Sequence, residues 1–381
     1  MIKLHHASSI DSIEWDTKIG GTYVRDYFSL MIKNTPSSFV SNIQTEIRLL
    51  ELENVVLPMT INNEEYENSY VCSPFTHYVS YAKEELWELK NPLAEKILLP
   101  IINFMGIWFK KSEINKVVIV NNWLLSTNLY YPLSKEEIKE ITTQLRKIFP
   151  EHLIMFRSLN NYLHKELIQS AQDVGYKTIF SRSVYLYKPD VMSQLTRKEK
   201  KDIKNDLRLL KNSGYAIVDN KGISNEEIST IFDLYNQLYI DKYSNKNPMF
   251  SHLYYKNGID LELFQFRALK KNNKIEAVLG YFVRNGVATA PIFGYNMSLD
   301  KKEGLYRLLS IIFLEECLEK NLILHASAGA GQFKRNRGAQ QELEYSLIYY
   351  EHLPRKRRFI WNSLIFLLTR FLEPMAKKHK F

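Results

Sequence analysis

At 381 residues the chain is longer than a single hydrophobic core usually supports, so two domains are expected. With 45% hydrophobic and 24% charged residues, its composition is that of a folded protein and excludes a disordered or fibrous one. The net charge is +9, and residues 334–381 hold 11 Lys and Arg residues against 4 acidic ones, a surplus of 7. This basic C-terminus favours an anionic partner, namely a phosphate-bearing cofactor, a membrane surface or a nucleic acid, although a solvated tail that aids solubility has the same composition.

Targeting and metal signals are absent from the sequence. The N-terminal residues lack the apolar core of a signal peptide, and no stretch reaches the ~20 apolar residues needed to span a bilayer. The two cysteines, Cys72 and Cys317, lie far apart, and no Cys/His spacing is typical of a metal site. We therefore expect a cytoplasmic protein that binds no metal.

The first half alternates strands and helices. Glu46–Leu52 and Val55–Ile61 are predicted to form a hairpin. A helical stretch, Lys83–Phe109, is expected to be interrupted at Pro92 and Pro100, because proline removes a helix hydrogen bond. The remaining predicted elements are the strand Lys116–Val120, a helix from the capping box Ser134–Glu137 to about Ile148, the strand His152–Phe156, the helix Tyr162–Asp173 and the strand Lys177–Tyr187.

The second half opens with a very basic helix. Its N-terminus is the capping box Thr196–Glu199, and between Arg197 and Lys211 seven residues are basic and three are acidic. The elements predicted after it are the strand Tyr215–Val218, a helix from Ser224 to about Ile240, the strands Leu263–Leu269, Lys274–Arg284 and Val287–Tyr295, the helix Glu303–Glu319, and the strands Leu322–Ser327 and Leu343–Tyr350.

This order predicts a ligand slot. Three antiparallel strands are followed by a helix long enough to cross over to a parallel strand. Pro291 lies inside the third strand, where it is tolerated if the edge facing the next strand is splayed open. A wedge between two parallel strands that ends near Gly329 and Gly331 is a natural site for a ligand.

Three segments resemble the GNAT acyltransferase fold, and within it the FemAB-like group. They are the basic helix in Thr196–Tyr215, the sequence Phe293-Gly-Tyr-Asn296, and the run Ser327–Gly338 with its Gly-Gln-Phe-Lys-Arg-Asn-Arg-Gly ending. The resemblance covers about residues 190–350, and in the first half only the element order is similar. It implies a mixed α/β sheet in two tandem GNAT-like domains, the N-terminal one degenerate.

The expected domains are residues 1–190 and 191–353, followed by a basic amphipathic tail over 354–381, with the two lobes face to face. The resemblance implies a thioester donor, acyl-CoA or acyl carrier protein, whose pantetheine arm enters between the splayed strands. The pyrophosphate loop of ordinary GNAT enzymes is missing, since Asn296–Gly304 stands in its place. Aminoacyl-tRNA therefore remains an alternative donor.

Donor binding is predicted for a cluster of cations and glycines. Lys334, Arg335 and Arg337 follow Gly329 and Gly331, whose backbones can turn tightly. Three exposed cations at such a turn could hold a diphosphate or phosphopantetheine, although an ordinary basic surface turn has the same sequence.

Transfer to an amine requires its unprotonated form, and free amines are mostly charged at neutral pH. His325 and Glu344 are the candidate bases, although a histidine among apolar neighbours is often only part of a core. The oxyanion of the tetrahedral intermediate could be held by a backbone N–H of Ile292 or Phe293, which the splay would free.

The acceptor side is assigned by the resemblance. It implies that the segment after the Ser224 helix lines the acceptor pocket, and the candidate residues there are Tyr239, Lys242, Tyr243 and Asn247. A polar connection without a function has the same composition.

The C-terminal tail has the pattern of an interfacial membrane helix. Phe359–Leu372 is nearly all apolar with one polar stripe, and the basic clusters Arg355–Arg358 and Lys377–Lys380 flank it. We expect Trp361 near the lipid headgroups and the protein peripheral on the inner face of the membrane. Packing of this helix on the domain or on a second copy is the alternative.

The function predicted from sequence is direct N-acyl transfer from a thioester donor to an amine-bearing acceptor, without a covalent enzyme intermediate. An aminoacyl-tRNA-dependent transferase acting on a cell-wall or lipid precursor is one alternative. The other is a membrane-associated binding protein that has kept the fold and lost activity, because fold alone does not establish catalysis.

Overall fold

The structure is a computed structural model that describes residues 2–84 and 92–379. Its strands are β1 (Lys3–His5), β2 (Glu46–Glu51), β3 (Val56–Asn62), β4 (Val117–Val120), β5 (Leu153–Asn160), β6 (Lys177–Tyr187), β7 (Ala216–Val218), β8 (Gln265–Lys271), β9 (Lys274–Arg284), β10 (Val287–Tyr295), β11 (Ile323–His325) and β12 (Gln340–Tyr349). Its α-helices are α1 (Gly21–Lys33), α2 (Tyr81–Glu84), α3 (Pro92–Lys111), α4 (Lys135–Ile148), α5 (Asn161–Val174), α6 (Val191–Gln194), α7 (Arg197–Asn212), α8 (Ile228–Asn236), α9 (His252–Asp260), α10 (Leu305–Glu319), α11 (Gly331–Arg335), α12 (Arg355–Leu367) and α13 (Glu373–His379). The predicted mixed α/β class is confirmed.

The strands form one mixed sheet in the order β1-β2-β3-β4-β5-β12-β6-β11-β10-β9-β8-β7. Strands β1 to β5 on one side correspond in order to β7 to β11 on the other, and β12 and β6 meet at the centre. Each half gives its last strand to the other, because β12 pairs with β5 and β6 pairs with β11. The expectation of two lobes packed face to face is therefore wrong: two repeats join edge to edge. The domain limits at residues 190 and 353 stay a prediction.

Backbone details repeat between the two halves. In each, a helix crosses over between two parallel strands, α4 between β4 and β5 and α10 between β10 and β11. Ser158 near the end of β5 and Ser327 just after β11 both have positive φ, at 65° and 56°. A side chain rarely adopts this conformation, so its occurrence at both places supports an internal repeat.

Local sequence signals explain where helices begin. Ser134, Thr196 and Ser224 each form the predicted capping box with the glutamate three residues later. In a capping box the N-cap side chain and the glutamate each accept a backbone N–H that would otherwise lack a partner. The predicted helix Lys83–Phe109 falls partly on residues 85–91, outside the described residues, and α3 continues through Pro100.

The C-terminal helix α12 packs on the sheet. Ile360, Trp361 and Leu364 are buried in a hydrophobic cluster with β4, β5 and β6 residues. Trp361 is only 1% exposed, so its predicted place near lipid headgroups is wrong. The polar stripe of the helix faces outward instead, because burying the apolar face stabilises the fold. Lys380 of the second basic cluster lies outside the described residues.

The predicted splay is present between β10 and β11. These strands pair in parallel only from Val287 to Thr289, and β10 then bulges before Ile292 and continues along β9 alone. Pro291 lies in this bulge, where a missing N–H breaks no ladder bond. Helix α8 crosses β10 so closely that a Cβ on Gly294 would lie 2.6 Å from the backbone carbon of Leu234.

This close approach predicts a large effect of one methyl group. Gly294→Ala should lower the free energy of unfolding by about 1–3 kcal/mol, because a backbone atom cannot move aside as a side-chain end can. Gly106→Ala is the control, since its methyl would meet only side chains, the nearest at 3.2 Å. Denaturant unfolding measures both, and equal stabilities of the two variants would contradict the tight α8–β10 contact.

Candidate active site

A cavity of about 320 Å³ opens where β10 and β11 diverge. Its walls combine many aromatic side chains with few charged ones, as is usual for ligand sites. The predicted residues that line it are Tyr239, Tyr243, Asn247, Phe293, His325, Gly329 and Lys334. The structure thus brings together donor, acceptor and catalytic candidates that lie up to 95 residues apart in the chain.

The N-terminal half supplies one wall of the cavity, which sequence analysis did not predict. Tyr70, Tyr81, Ser126, Arg182 and Tyr187 all line it. They reach the site because β6, which carries Arg182 and Tyr187, is inserted beside β11. No local signal marks them, since a single arginine or tyrosine in a strand is ordinary.

Arg182 organises the charged side of the cavity. Its guanidinium donates to Glu344 Oε1 at 2.8 Å, to the Ser126 carbonyl at 2.6 Å and to Thr127 Oγ1 at 3.2 Å. Arg182 and Glu344 are register partners on β6 and β12, so the ion pair crosses the exchanged strands. Glu344 does not itself line the cavity. It holds Arg182 in place from behind.

His325 is a neutral wall residue. Burial, reinforced by Arg182, lowers the pKa of His325 to about 3. Its Nδ1 accepts the Ser327 N–H at 3.2 Å, which leaves the proton of the neutral ring on Nε2. Nε2 lies 3.9 Å from Glu344 Oε2. In this tautomer His325 can donate a hydrogen bond but cannot accept a proton at Nε2, so the arrangement does not favour the predicted role as a base.

Lys334 holds the loop after β11. Its Nζ donates to the carbonyls of Ala326 at 2.5 Å and Ala328 at 2.8 Å. The side chain is buried, and burial together with Arg182 lowers its pKa to about 7. The expectation of an exposed side chain is wrong for Lys334. The lysine shapes the cavity wall at residues 326–330.

Arg337 is also buried, contrary to expectation, because it forms an ion pair with Asp206 of α7. Asp206 binds Arg307 of α10 as well, at 2.6 Å. The Arg337 guanidinium lies 3.6 Å from the ring centre of Phe333, which lines the cavity. Arg337 therefore fastens α11 to α7 and α10.

Arg335 and Gly331 lie beside the site without lining it. Arg335 Nη1 donates to the Tyr185 hydroxyl at 2.9 Å. A Cβ on Gly331 would lie 2.1 Å from the same hydroxyl oxygen, so this position has room only for glycine. Of the three predicted phosphate-binding cations, Arg335 is the least buried.

The structure distinguishes the two candidate oxyanion donors. Asn296 donates its N–H to the Glu276 carbonyl at 2.8 Å, and hydrogen-bonded pairs alternate along an antiparallel ladder. The register then directs the N–H of Ile292 toward β9 and that of Phe293 toward the splayed edge. Phe293 is the better placed of the two.

The predicted acceptor residues divide in the same way. Tyr239, Tyr243 and Asn247 line the cavity, and Asn247 Nδ2 donates to the Tyr239 carbonyl at 3.0 Å. The ring of Tyr239 stacks on Tyr235 of α8 at 4.8 Å. Lys242 does not line the cavity and lies exposed, 5.2 Å from the Tyr243 ring.

Two searches over residues 2–84 and 92–379 returned nothing. No group of three or more His, Cys, Asp or Glu side chains is arranged to hold a metal ion. None of the described helices combines the length and apolar character needed to cross a bilayer.

Neither a protein-family model nor a curated protein sequence matches this chain. Solved structures do match. L-PGS from Bacillus licheniformis is 15% identical over 61% of this chain and 78% of that chain, with a TM-score of 0.45. FemX is 9% identical over 57% and 77%, with a TM-score of 0.44. A tandem GNAT protein from the clavulanic acid biosynthesis pathway is 7% identical over 93% and 99%, with a TM-score of 0.40. At these identities and TM-scores the similarity supplies no substrate or residue role for this chain.

The Arg182–Glu344 pair should contribute strongly to stability. Glu344→Gln is expected to cost about 3 kcal/mol, because it leaves Arg182 without its carboxylate in a largely buried place. The double variant Arg182→Met, Glu344→Leu should recover part of that loss, since it leaves no uncompensated charge. Urea unfolding measures each variant. The exposed pair Lys256–Asp260 is the control, and a cost for Glu344→Gln no larger than that of Asp260→Asn would contradict the assignment.

The neutral state of His325 predicts a pH effect on stability. Between pH 6.5 and about 3 an unfolded histidine binds a proton that buried His325 does not, so the free energy of unfolding falls as the pH falls. His325→Gln should reduce this slope by up to about 1.4 kcal/mol per pH unit. Unfolding curves at several pH values test it, with the exposed His6→Gln as the reference. An unchanged slope would show that His325 is not buried as a neutral ring.

Proposed function

We propose that this protein transfers an acyl group directly from a thioester donor, acyl-CoA or acyl carrier protein, to an amine. The observation that carries the proposal is the splay of β10 from β11 after Thr289, which opens a cavity against the edge of β10. An extended thioester arm fits such a slot because it can lie along a strand edge. Its carbonyl oxygen would meet the N–H of Phe293.

The reaction balances without a cofactor. The amine nitrogen forms a bond to the thioester carbon, and the oxyanion accepts a hydrogen bond from the Phe293 N–H. Collapse of the tetrahedral intermediate breaks the carbon–sulfur bond. The proton lost by nitrogen is taken up by the departing thiolate, so no base on the protein is required if the amine arrives neutral.

The cations beside the slot have separate tasks in this proposal. Lys334 keeps the carbonyls of residues 326–328 turned away from the cavity, and Arg337 fixes Phe333 in its wall. Arg335, at the surface end, is the candidate contact for donor phosphate. His325 and Glu344 act by positioning Arg182 and the β11 loop. Tyr239, Tyr243 and Asn247 form the acceptor side.

A second candidate function uses aminoacyl-tRNA as donor. Its support is helix α7, on which every cation is exposed: Arg197, Lys198, Lys200, Lys201, Lys204, Arg208 and Lys211. Such a row could neutralise several phosphates of a nucleic acid backbone. The aromatic walls of the cavity fit an acyl or aminoacyl group equally well.

Filling the slot provides the test. Ala290 lines the cavity, so Ala290→Phe should reduce binding of acetyl-CoA and palmitoyl-CoA at least tenfold in calorimetry and abolish amine-dependent release of the CoA thiol. Val283→Phe adds the same bulk on the exposed side of β9 and should change neither.

The nature of the co-purifying ligand decides between donors. Mass spectrometry of native protein should find CoA or an acyl thioester under the first proposal. Fragments of tRNA would select the second. Equal donor binding by Ala290→Phe and wild type would remove the slot from either mechanism, and thiol release without any amine would contradict direct N-acyl transfer.

A further inference from the structure

Helix α3 presents an apolar face to solvent. Phe104, Ile107 and Trp108 are 62%, 55% and 47% exposed, and Leu99 and Ile101 are also largely exposed. These residues recur at three- and four-residue spacing over Ile101–Trp108, about 10 Å along the helix, so they form a stripe parallel to its axis. Contiguous exposed apolar surface of this kind is uncommon on a soluble monomer and usually marks an interaction site.

The opposite face of α3 anchors it to the fold. Ile102, Met105 and Phe109 pack in the same hydrophobic cluster as Trp361 and Leu364 of α12. The stripe is therefore held by a fixed helix. Residues on two faces of one helix cannot all be buried by the sheet below, so the exposed face needs another partner.

Helix α12 adds to the same side of the molecule. Its Phe359 and Phe366, seven residues apart, are 68% and 63% exposed. The two helices meet where Lys356 Nζ lies 3.4 Å from the Lys111 carbonyl. We call the exposed residues Leu99, Ile101, Phe104, Ile107, Trp108, Phe359 and Phe366 the aromatic patch.

Cations flank the aromatic patch at this meeting point. Lys111, Arg355 and Lys356 are exposed, and within the described residues none of them has a carboxylate at ion-pair distance. Lys110 lies 5.0 Å from the Tyr66 ring. Two copies of such a basic surface would repel each other, whereas an anionic surface would be attracted.

We propose that the aromatic patch docks this protein on a bilayer that contains anionic lipid. The apolar and aromatic side chains enter the boundary between headgroups and acyl chains, with Trp108 at headgroup depth, and the flanking cations bind lipid phosphates. Helix α3 lies parallel to the membrane plane. It contributes more of the apolar surface than the C-terminal tail, whose Trp361 belongs to the core.

Vesicle co-sedimentation of the full chain tests the proposal. Wild type should bind vesicles of phosphatidylcholine with phosphatidylglycerol at low salt, and bind pure phosphatidylcholine at least tenfold less. The variant Phe104→Ser, Ile107→Ser, Trp108→Ser should lose at least tenfold of this binding while its thermal unfolding stays within a few degrees, because these side chains are exposed. The control Ile19→Ser, Ile217→Ser, Leu253→Ser removes equally exposed apolar residues elsewhere and should bind as wild type.

A charge variant separates the two contributions. Lys111→Gln, Arg355→Gln, Lys356→Gln should weaken binding about fivefold per cation at low salt, which corresponds to about 1 kcal/mol each, and should lose its dependence on salt. Wild-type binding by the serine variant would overturn the proposal, as would equal loss by the control. A wild-type dimer in analytical ultracentrifugation that the serine variant converts to monomer would also overturn it, by making the patch a contact between copies. None of these outcomes depends on acyl transfer.

Discussion

The exchange of β6 and β12 at the centre of the sheet is the constraint on which the candidate site depends. Because β6 lies between β12 and β11, Arg182 of the N-terminal half faces Glu344 of the C-terminal half in one antiparallel register. The ion pair between them fixes this register, since a shift by one residue would turn both charges to the opposite face of the sheet. Arg182 then ties in the Ser126–Thr127 loop, and Thr127 contacts Ser327 at 2.7 Å.

The two repeats share a topology but differ in what fills the wedge between their parallel strands. In the C-terminal half the wedge after Thr289 contains the cavity. In the N-terminal half β4 ends at Val120, and the following residues Trp123 and Leu124 are buried in the molecule's own core. Filling one wedge with the chain itself stabilises the pair, and it leaves the other repeat to hold a ligand.

Buried cations shape this site more than they face it. Lys334 is held by backbone carbonyls and Arg337 by Asp206, so each uses its hydrogen bonds within the protein. A buried charge is tolerated only when it is paired in this way. The result is a cavity whose walls are mainly tyrosine and phenylalanine, with Arg182 as the charged group nearest its centre. Such walls suit an uncharged thioester arm and a planar acyl group better than a bare phosphate.

The elements themselves follow from local sequence. Capping boxes at Ser134, Thr196 and Ser224 and the Asn285-Gly286 turn act over three or four residues, so the helix starts and the β9–β10 hairpin were predicted from their own residues. The splay was predicted for the same reason, because Pro291 cannot donate in any fold.

What only the tertiary structure decided is the company each residue keeps. Exchange of strands between repeats is set by pairing over more than 150 residues, and nothing near Arg182, Tyr70 or Tyr81 indicates it. Burial likewise depends on neighbours distant in sequence. The basic run around Lys334 and Arg337 has the composition of a surface turn, and Trp361 that of an interfacial helix. Both became interior because carbonyls, Asp206 and the sheet, each from elsewhere in the chain, satisfy their polar groups or cover their rings.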